Sequence, residues 1–161
     1  MSWKHRSQAR KRALQVLFQV DIGGADPGEA MEHMDHLDDE EFGKMTDNED
    51  FAGKLVYGVL ANLVFIDQVI AAVSKDWRLE RMAGVDRNLM RLALYEVFFC
   101  DDIPNNVSVN EAIDLGKIFG GADSGKFING ILGKVIENIE EYTPEKVLNS
   151  NMLPDSSLVL D

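Results

Sequence analysis

DRNLMRLALYEVFFCDDIPNNVSVNEAIDLGKIFGGADSGKFINGILGKV, residues 86–135, decides the fold class. Its first segment, with Val85 just ahead of it, keeps Val85, Leu89, Leu92 and Phe99 at helical spacing and stops before Pro104. The second opens on a predicted capping box, Ser108 with Glu111 three residues later. It closes at Gly120-Gly121, where a residue without a Cβ tolerates the left-handed backbone of a helix end. The third opens at Asp123-Ser124 and carries Phe127, Ile131, Val135 and Ile139 on one stripe. Three punctuated helices in a row predict an all-α domain.

Outward from this stretch the pattern stays helical. A first helix is predicted over residues 7–22, burying Ala13, Leu14, Leu17 and Val20, and is interrupted by Gly23-Gly24 and Pro27-Gly28. A weaker helix over 29–37 leads into an acidic connection. Residues 48–74 then read as one long helix, with Thr46 and Glu49 as its capping box. Its stripe of Phe51, Leu55, Val59, Leu63, Ile66, Ile70 and Val73 is too regular for a strand. A short helix near 79–82 joins it to the three above. The expected architecture is a compact bundle of about seven helices in two packed subdomains. They fall in one domain, 1–149, with halves at about 1–78 and 79–149, followed by a loose tail or docking strip at 150–161 containing Pro154. No internal repeat is legible.

At 161 residues the chain can bury one core, or two small ones sharing an interface. No apolar run reaches the roughly 18 residues of a membrane span, and no signal-peptide pattern precedes a small-residue cleavage site. The single cysteine, Cys100, cannot form an internal disulfide and fits a reducing cytoplasm. Its place in VFFC, at the end of an apolar helix, predicts a buried core thiol. The net charge of −12 argues against a globally basic nucleic-acid binder. The charges are segregated, however. The first twelve residues hold Lys4, Arg6, Arg10, Lys11 and Arg12 and no acid, whereas residues 23–50 are strongly acidic around Asp38-Asp39-Glu40-Glu41. Such polarity predicts a local electropositive face on the first helix, where Arg6 and Arg10 lie one turn apart. A merely solvated helix end is the alternative.

The sequence offers little enzyme chemistry. GGADSGKF places Gly120, Gly125 and Lys126 at the spacing of a phosphate-binding loop, but Phe127 stands where a magnesium-holding hydroxyl is needed, and a helix rather than a strand precedes it. His33 and His36 are spaced like metal ligands but lack a third at defined spacing. Neither they nor His5 sit in a nucleophilic triad. No catalytic residue, metal or cofactor is expected. Single-stranded RNA binding needs other things: cations for phosphates and aromatic faces for bases. The first helix supplies cations, and Lys126-Phe127 opens a helix whose free amides favour phosphate. Phe127 with Ile131 equally suits a helix core, and Phe18 equally suits packing between helices.

Three segments, ARKRALQVLFQVD (9–21), DRNLMRLALYE (86–96) and IPNNVSVNEAIDLGKIFGGADSGKFINGILGK (103–134), occur in an order that resembles the NusB family of bacterial transcription antitermination factors. Helical periodicity alone would not demand Asn110-Glu111, the glycine pair or Lys126-Phe127 within the last of these. Residues 22–50 carry no such likeness. The resemblance implies a non-enzymatic factor. It captures boxA-like single-stranded RNA in ribosomal RNA leader transcripts together with the ribosomal protein NusE, then joins NusA, NusG and RNA polymerase to suppress premature termination. It implies RNA contacts at Lys4, Arg6, Arg10, Lys11, Phe18, Asp123, Ser124, Lys126 and Phe127, and partner contacts at Glu80, Asp86, Arg87 and Arg91. Asp123 and Asp86 also suit ordinary helix starts. Ser7-Gln8 interrupts the denser arginine run of the family, so five cations set a salt slope no steeper than about −3.5 on single strands. Weak RNA affinity alone and a marked gain with NusE are therefore expected. The alternatives are a protein-only adaptor, a self-associating dimer, or an RNA-guiding module like that at the start of certain ribosomal-RNA cytosine methyltransferases, with no methylation expected from these 161 residues themselves.

Overall fold

A computed structural model of the chain describes residues 3–41 and 46–149, with side chains described for 5–34 and 51–149. The basic N-terminal segment winds into α1 (Trp3–Gly23), burying Ala9, Ala13, Leu14, Val16 and Leu17 on one face, with Val20 half-buried. Asp26 starts the next helix: its carboxylate accepts the Glu29 amide at 3.1 Å, and Pro27 occupies the first turn, where no amide donor is missed. α2 therefore runs Pro27–Glu41, earlier and longer than residues 29–37. The Thr46–Glu49 capping box, the side chains of the acidic run 38–41 and the tail 150–161 lie outside the described residues.

The expected long helix is two. α3 (Thr46–Ala61) and α4 (Leu63–Val73) meet at a bend of 72°. Asn62 makes the break. Its side-chain amide donates to the Gly58 carbonyl at 2.8 Å, and its backbone amide is shared between the Gly58 and Val59 carbonyls. A short amide that competes for helix carbonyls is the reason asparagine sits poorly inside helices. Apolar periodicity continues across the bend because both helices bury the same kind of stripe, so periodicity alone could not see it.

A 3-10 turn (Leu79–Arg81) leads to α5 (Gly84–Phe99), on which α1, α3, α4, α6 and α7 all pack. Every residue from Asp86 to Glu96 is buried, so the stripe read from the sequence covers only part of what this helix hides. α6 (Asn105–Gly120) starts at Pro104, whose carbonyl accepts the Val107 amide at 3.0 Å. Ser108 is therefore a turn inside the helix, and the predicted capping box does not form. The Ser108 hydroxyl donates instead to Glu96 at 2.8 Å. The glycine pair behaves as expected: α6 ends at Gly120, and Gly121 takes φ +96°, a conformation that side chains rarely adopt. α7 (Ala122–Glu137) folds back on α6, buries Ile128, Ile131, Leu132 and Val135, and passes through a 3-10 turn (Ile139–Tyr142) to α8 (Pro144–Asn149). The described residues thus form eight α-helices and no strand, as an all-α chain should.

Leu17, Leu55, Ile66, Leu89, Met90, Leu94, Ile128 and Leu132 are fully buried and come from α1, α3, α4, α5 and α7, each side chain worth roughly 1.5–3 kcal/mol on leaving water. Cys100 lies in the same core, where burial pushes its thiol pKa up, as suits a packing residue rather than a nucleophile. Helices α3 and α5 come so close that a Cβ on Gly58 would overlap the Tyr95 ring. Gly58→Ala is therefore expected to destabilise by roughly 1–3 kcal/mol, despite alanine's better helix propensity, because the overlap is with a packed aromatic. Urea unfolding of the two proteins measures this, and an unchanged midpoint would contradict it.

Candidate nucleic-acid interface

α1 runs antiparallel to α5 and is held along it by charge at both ends. At the first end, Arg10 donates from Nε and Nη2 to the two Glu96 oxygens, each at 2.8 Å. Arg10 is 4% exposed and Glu96 1%. Glu111 stands 3.7 Å from the same guanidinium and accepts the Ser7 hydroxyl at 3.2 Å, and Phe51 lies under Arg6 and Arg10 at 5.0 and 5.7 Å. Burial alone would lower the Arg10 pKa. The hydrogen bond and charge of Glu96 outweigh it, so the guanidinium is held above its ordinary value. Arg6 pairs with exposed Asp102 at 3.0 Å, a contact that holds the Asp102 carboxyl below the usual range.

At the second end, Asp21 accepts Arg87 Nε at 2.8 Å and the Asn88 amide at 2.9 Å, and Arg91 makes a two-point contact with Asp67 at 2.8 and 2.9 Å. Arg87 also donates to the Leu79 carbonyl at 2.7 Å, which ties the 3-10 turn to α5. Partial burial would raise the Asp21 pKa, but the hydrogen bonds from Arg87 and Asn88 and the charge of Arg91 bring it below the usual carboxylate range. A group depressed on folding stabilises fully above its unfolded pKa and loses that contribution as pH falls through the folded value. Asp21→Asn is thus expected to lower the melting temperature at pH 7 and to shrink the further loss seen below about pH 4. Melting curves from pH 7 to pH 2.5 check it; parallel curves for the two proteins would refute it.

These contacts redraw the list of candidate residues. Arg10 and Arg12, expected from the sequence to present charge, are both buried. Lys11 is half-buried and Arg6 partly exposed beside Asp102, while the Lys4 side chain lies outside the described residues. On the partner side, Arg87 and Arg91 are buried in the ion-pair network rather than offered to solvent, and Asp86 is 8% exposed; only Glu80 is open. Glu80 borders a groove of about 660 Å³ lined also by Asp21, Asp67 and Leu79. His33 is exposed and the His36 side chain lies outside the described residues, within which no three metal-binding side chains cluster.

The aromatic candidates gather near the start of α5. Phe18, 39% exposed, leans over Gly84. Phe127, in the first turns of α7 next to exposed Asp123 and Lys126 and buried Ser124, is half-buried. Its ring meets Trp77 edge-on at 6.3 Å. Trp77 is 54% exposed, and with Arg81, Met82, Ala83, Asp86 and Phe127 it lines an open pocket of about 450 Å³. The sequence reading missed Trp77, Lys75, Arg78 and Arg81. KDWRLER (75–81) carries the signal in plain view, an aromatic set among cations, but it falls in a connection between helices where periodicity says nothing.

The NusB family model matches residues 7–137, from within α1 to the end of α7. The chain belongs to the NusB family. A transcription antitermination protein NusB from Pelotomaculum thermopropionicum is 63% identical over 139 residues, covering 86% of this chain and 94% of the relative. Antitermination proteins of this kind are not enzymes. Among solved structures, antitermination factors NusB and NusE in complex with dsRNA match with TM-score 0.75 and 28% identity, over 85% of this chain and 99% of the other. A NusB from T. maritima matches with TM-score 0.74 and 32% identity, over 90% and 97%.

Proposed function

We propose that this chain is a cytoplasmic, non-enzymatic transcription antitermination factor that captures boxA-like single-stranded RNA of ribosomal RNA leader transcripts together with NusE, in a larger assembly with NusA, NusG and RNA polymerase. Family membership supports the class, and a structural neighbour bound to NusE and dsRNA supports an RNA-related role. The observation that carries the RNA reading is the Lys126-Phe127 turn, where a solvent-reachable aromatic stands beside a free cation at a helix start and opposite Trp77. Lys11 and Arg6 serve the phosphates at the other end of α5, and Phe18 and Asp123, both exposed, belong with Ser124 to the proposed RNA face near the start of α5 and of α7. Asp86 and Glu96 are ten residues apart on α5, so the two ends are separated by about 15 Å.

NusE is proposed to meet Glu80 and the adjoining groove, where Asp21 and Asp67 are paired with Arg87 and Arg91 and Glu80 is the exposed acid. Fluorescence anisotropy of a boxA-like RNA, with and without NusE at several salt concentrations, tests the reading. With Arg10 and Arg12 buried, three cations at most remain on the N-terminal helix, so its share of the salt slope is no steeper than about −2.1. NusE should tighten binding at every salt concentration; RNA affinity unchanged by NusE would refute the shared clamp. Self-association is a second reading, favoured by Ile118 and Phe119 standing exposed at the end of α6. Light scattering with and without RNA separates the two.

A further inference from the structure

The 3-10 turn between α4 and α5 borders two different surfaces. Leu79 and Glu80 line the groove that holds Asp21, Asp67 and Arg87, whereas Arg81 and Met82 line the open pocket of Trp77 and Phe127. Glu80 and Arg81 are neighbours in a three-residue turn, so neither can be re-aimed without moving the other. The core gives this segment little support. From Lys75 to Arg81 every side chain is exposed except that of Leu79, which is half-buried. Among the described residues, one side chain hydrogen-bonds to the turn from another helix. Arg87 of α5 donates from Nη1 to the Leu79 carbonyl at 2.7 Å. Its Nε and Nη2 hold Asp21 of α1 at 2.8 and 2.6 Å. With all three nitrogens engaged, α1, α5 and the turn meet on one planar group, a span that a lysine ammonium cannot reproduce.

We propose that this turn couples the partner groove to the RNA face, and that Arg87 is its positioning residue rather than a partner contact. The inference rests on the RNA and NusE reading above. A partner docked on Glu80 and an RNA engaged at Arg81 and Trp77 order the same segment. The first to bind fixes the turn, and the second then binds without that entropic penalty. Linkage makes the effect reciprocal: RNA tightens NusE binding by the same factor by which NusE tightens RNA binding. Cooperativity through direct contact between NusE and RNA would be indifferent to the stiffness of the turn. Two variants change that stiffness in opposite directions. Arg87→Lys keeps a cation beside Asp21 and gives up the arm to Leu79. Ala83→Pro stiffens the exit of the turn. Ala83 has φ −57°, and Met82 before it has φ −72° and ψ 148°, angles that suit a proline and the residue preceding one. The Ala83 amide donates no hydrogen bond among the described residues, so none is lost.

Hydrogen exchange reads the turn directly, because the Met82 amide donates to the Leu79 carbonyl at 3.1 Å and the Arg81 amide to Arg78 at 3.0 Å. In the parent protein, NusE alone and a boxA-like RNA alone should each slow exchange at Met82. Arg87→Lys should speed it and weaken RNA binding without NusE by about two- to tenfold in anisotropy. The salt slope should stay as it was, since the lost arm touches no phosphate. Ala83→Pro should tighten RNA binding without NusE by about two- to fivefold. The gain from saturating NusE should then rise in Arg87→Lys and fall in Ala83→Pro. If Arg87→Lys speeds exchange throughout α5, its fold is damaged, and Ala83→Pro, which breaks no ion pair, carries the test. An equal gain in parent and variants overturns the coupling and assigns cooperativity to direct contact between NusE and RNA. Met82 exchange unmoved by NusE also overturns it, and both results leave RNA binding itself intact. Absence of RNA binding in every protein, with or without NusE, overturns the underlying reading instead.

Discussion

Glu96→Ala lowers stability by about 3–5 kcal/mol, the cost of leaving a buried charge without its partner. Glu96 is the hub of the contact between α1, α5 and α6: two hydrogen bonds from Arg10 and one from Ser108 converge on a carboxylate that is 1% exposed. Removing it strands the Arg10 guanidinium and the Ser108 hydroxyl in the core. For a chain of this length such a loss moves the melting temperature by roughly 6–20 °C, which calorimetry resolves easily. The double replacement Arg10→Met with Glu96→Leu should recover much of the deficit, because apolar residues of similar volume often replace a buried ion pair at little cost. A single Glu96→Ala that melts with the parent would show that the pair contributes nothing. The same geometry changes how variants of Arg10 should be read. Arg10→Glu would set two carboxylates against each other in the core, so its loss of RNA binding would report a damaged fold and not a missing phosphate contact.

Phe127→Ala is expected to weaken RNA binding by roughly 5- to 150-fold, the range for losing one aromatic platform under a base. The salt dependence is the diagnostic part. Removing a stacking ring leaves the number of released counterions unchanged, so the slope of affinity against salt should stay as it was. Lys126→Gln should do the opposite, costing less affinity at high salt than at low salt and flattening the slope by about 0.7. Phe127 is half-buried, so its melting curve must accompany the binding curve. A Phe127→Ala protein that melts close to the parent and binds RNA as tightly would remove the ring from the interface.

How much of this was legible before the fold depends on the range of each interaction. Helix identity was written locally. Apolar spacing over one or two turns, Pro104, and Gly121 with its positive φ all act within a few residues, and they gave α5, α6 and α7 in order, although α6 starts a turn before the expected Ser108 cap. The one break that periodicity missed is also local: Asn62 bends the chain by 72° through a hydrogen bond to Gly58 that apolar spacing does not register. The family was legible for a related reason, since Asn110-Glu111, the glycine pair and Lys126-Phe127 are words in a fixed order.

The state of each charge was not legible. From sequence, Arg6, Arg10, Lys11 and Arg12 are equivalent cations on one helix, and Asp86, Arg87 and Arg91 are a charged helix start. Which of them faces solvent depends on partners 24 to 96 positions away: Asp67 for Arg91, Asp21 for Arg87, Glu96 for Arg10 and Asp102 for Arg6. Burial then raises the value of each pairing, because a charge in the interior must be matched while one at the surface need not be. Trp77 shows the same division. The sequence alone determined a helical chain of the NusB pattern with cations and aromatics to spare. Only the tertiary structure decided which cations are spent inside, and that Trp77, Asp86 and Phe127 line one open pocket, because long-range packing sets both.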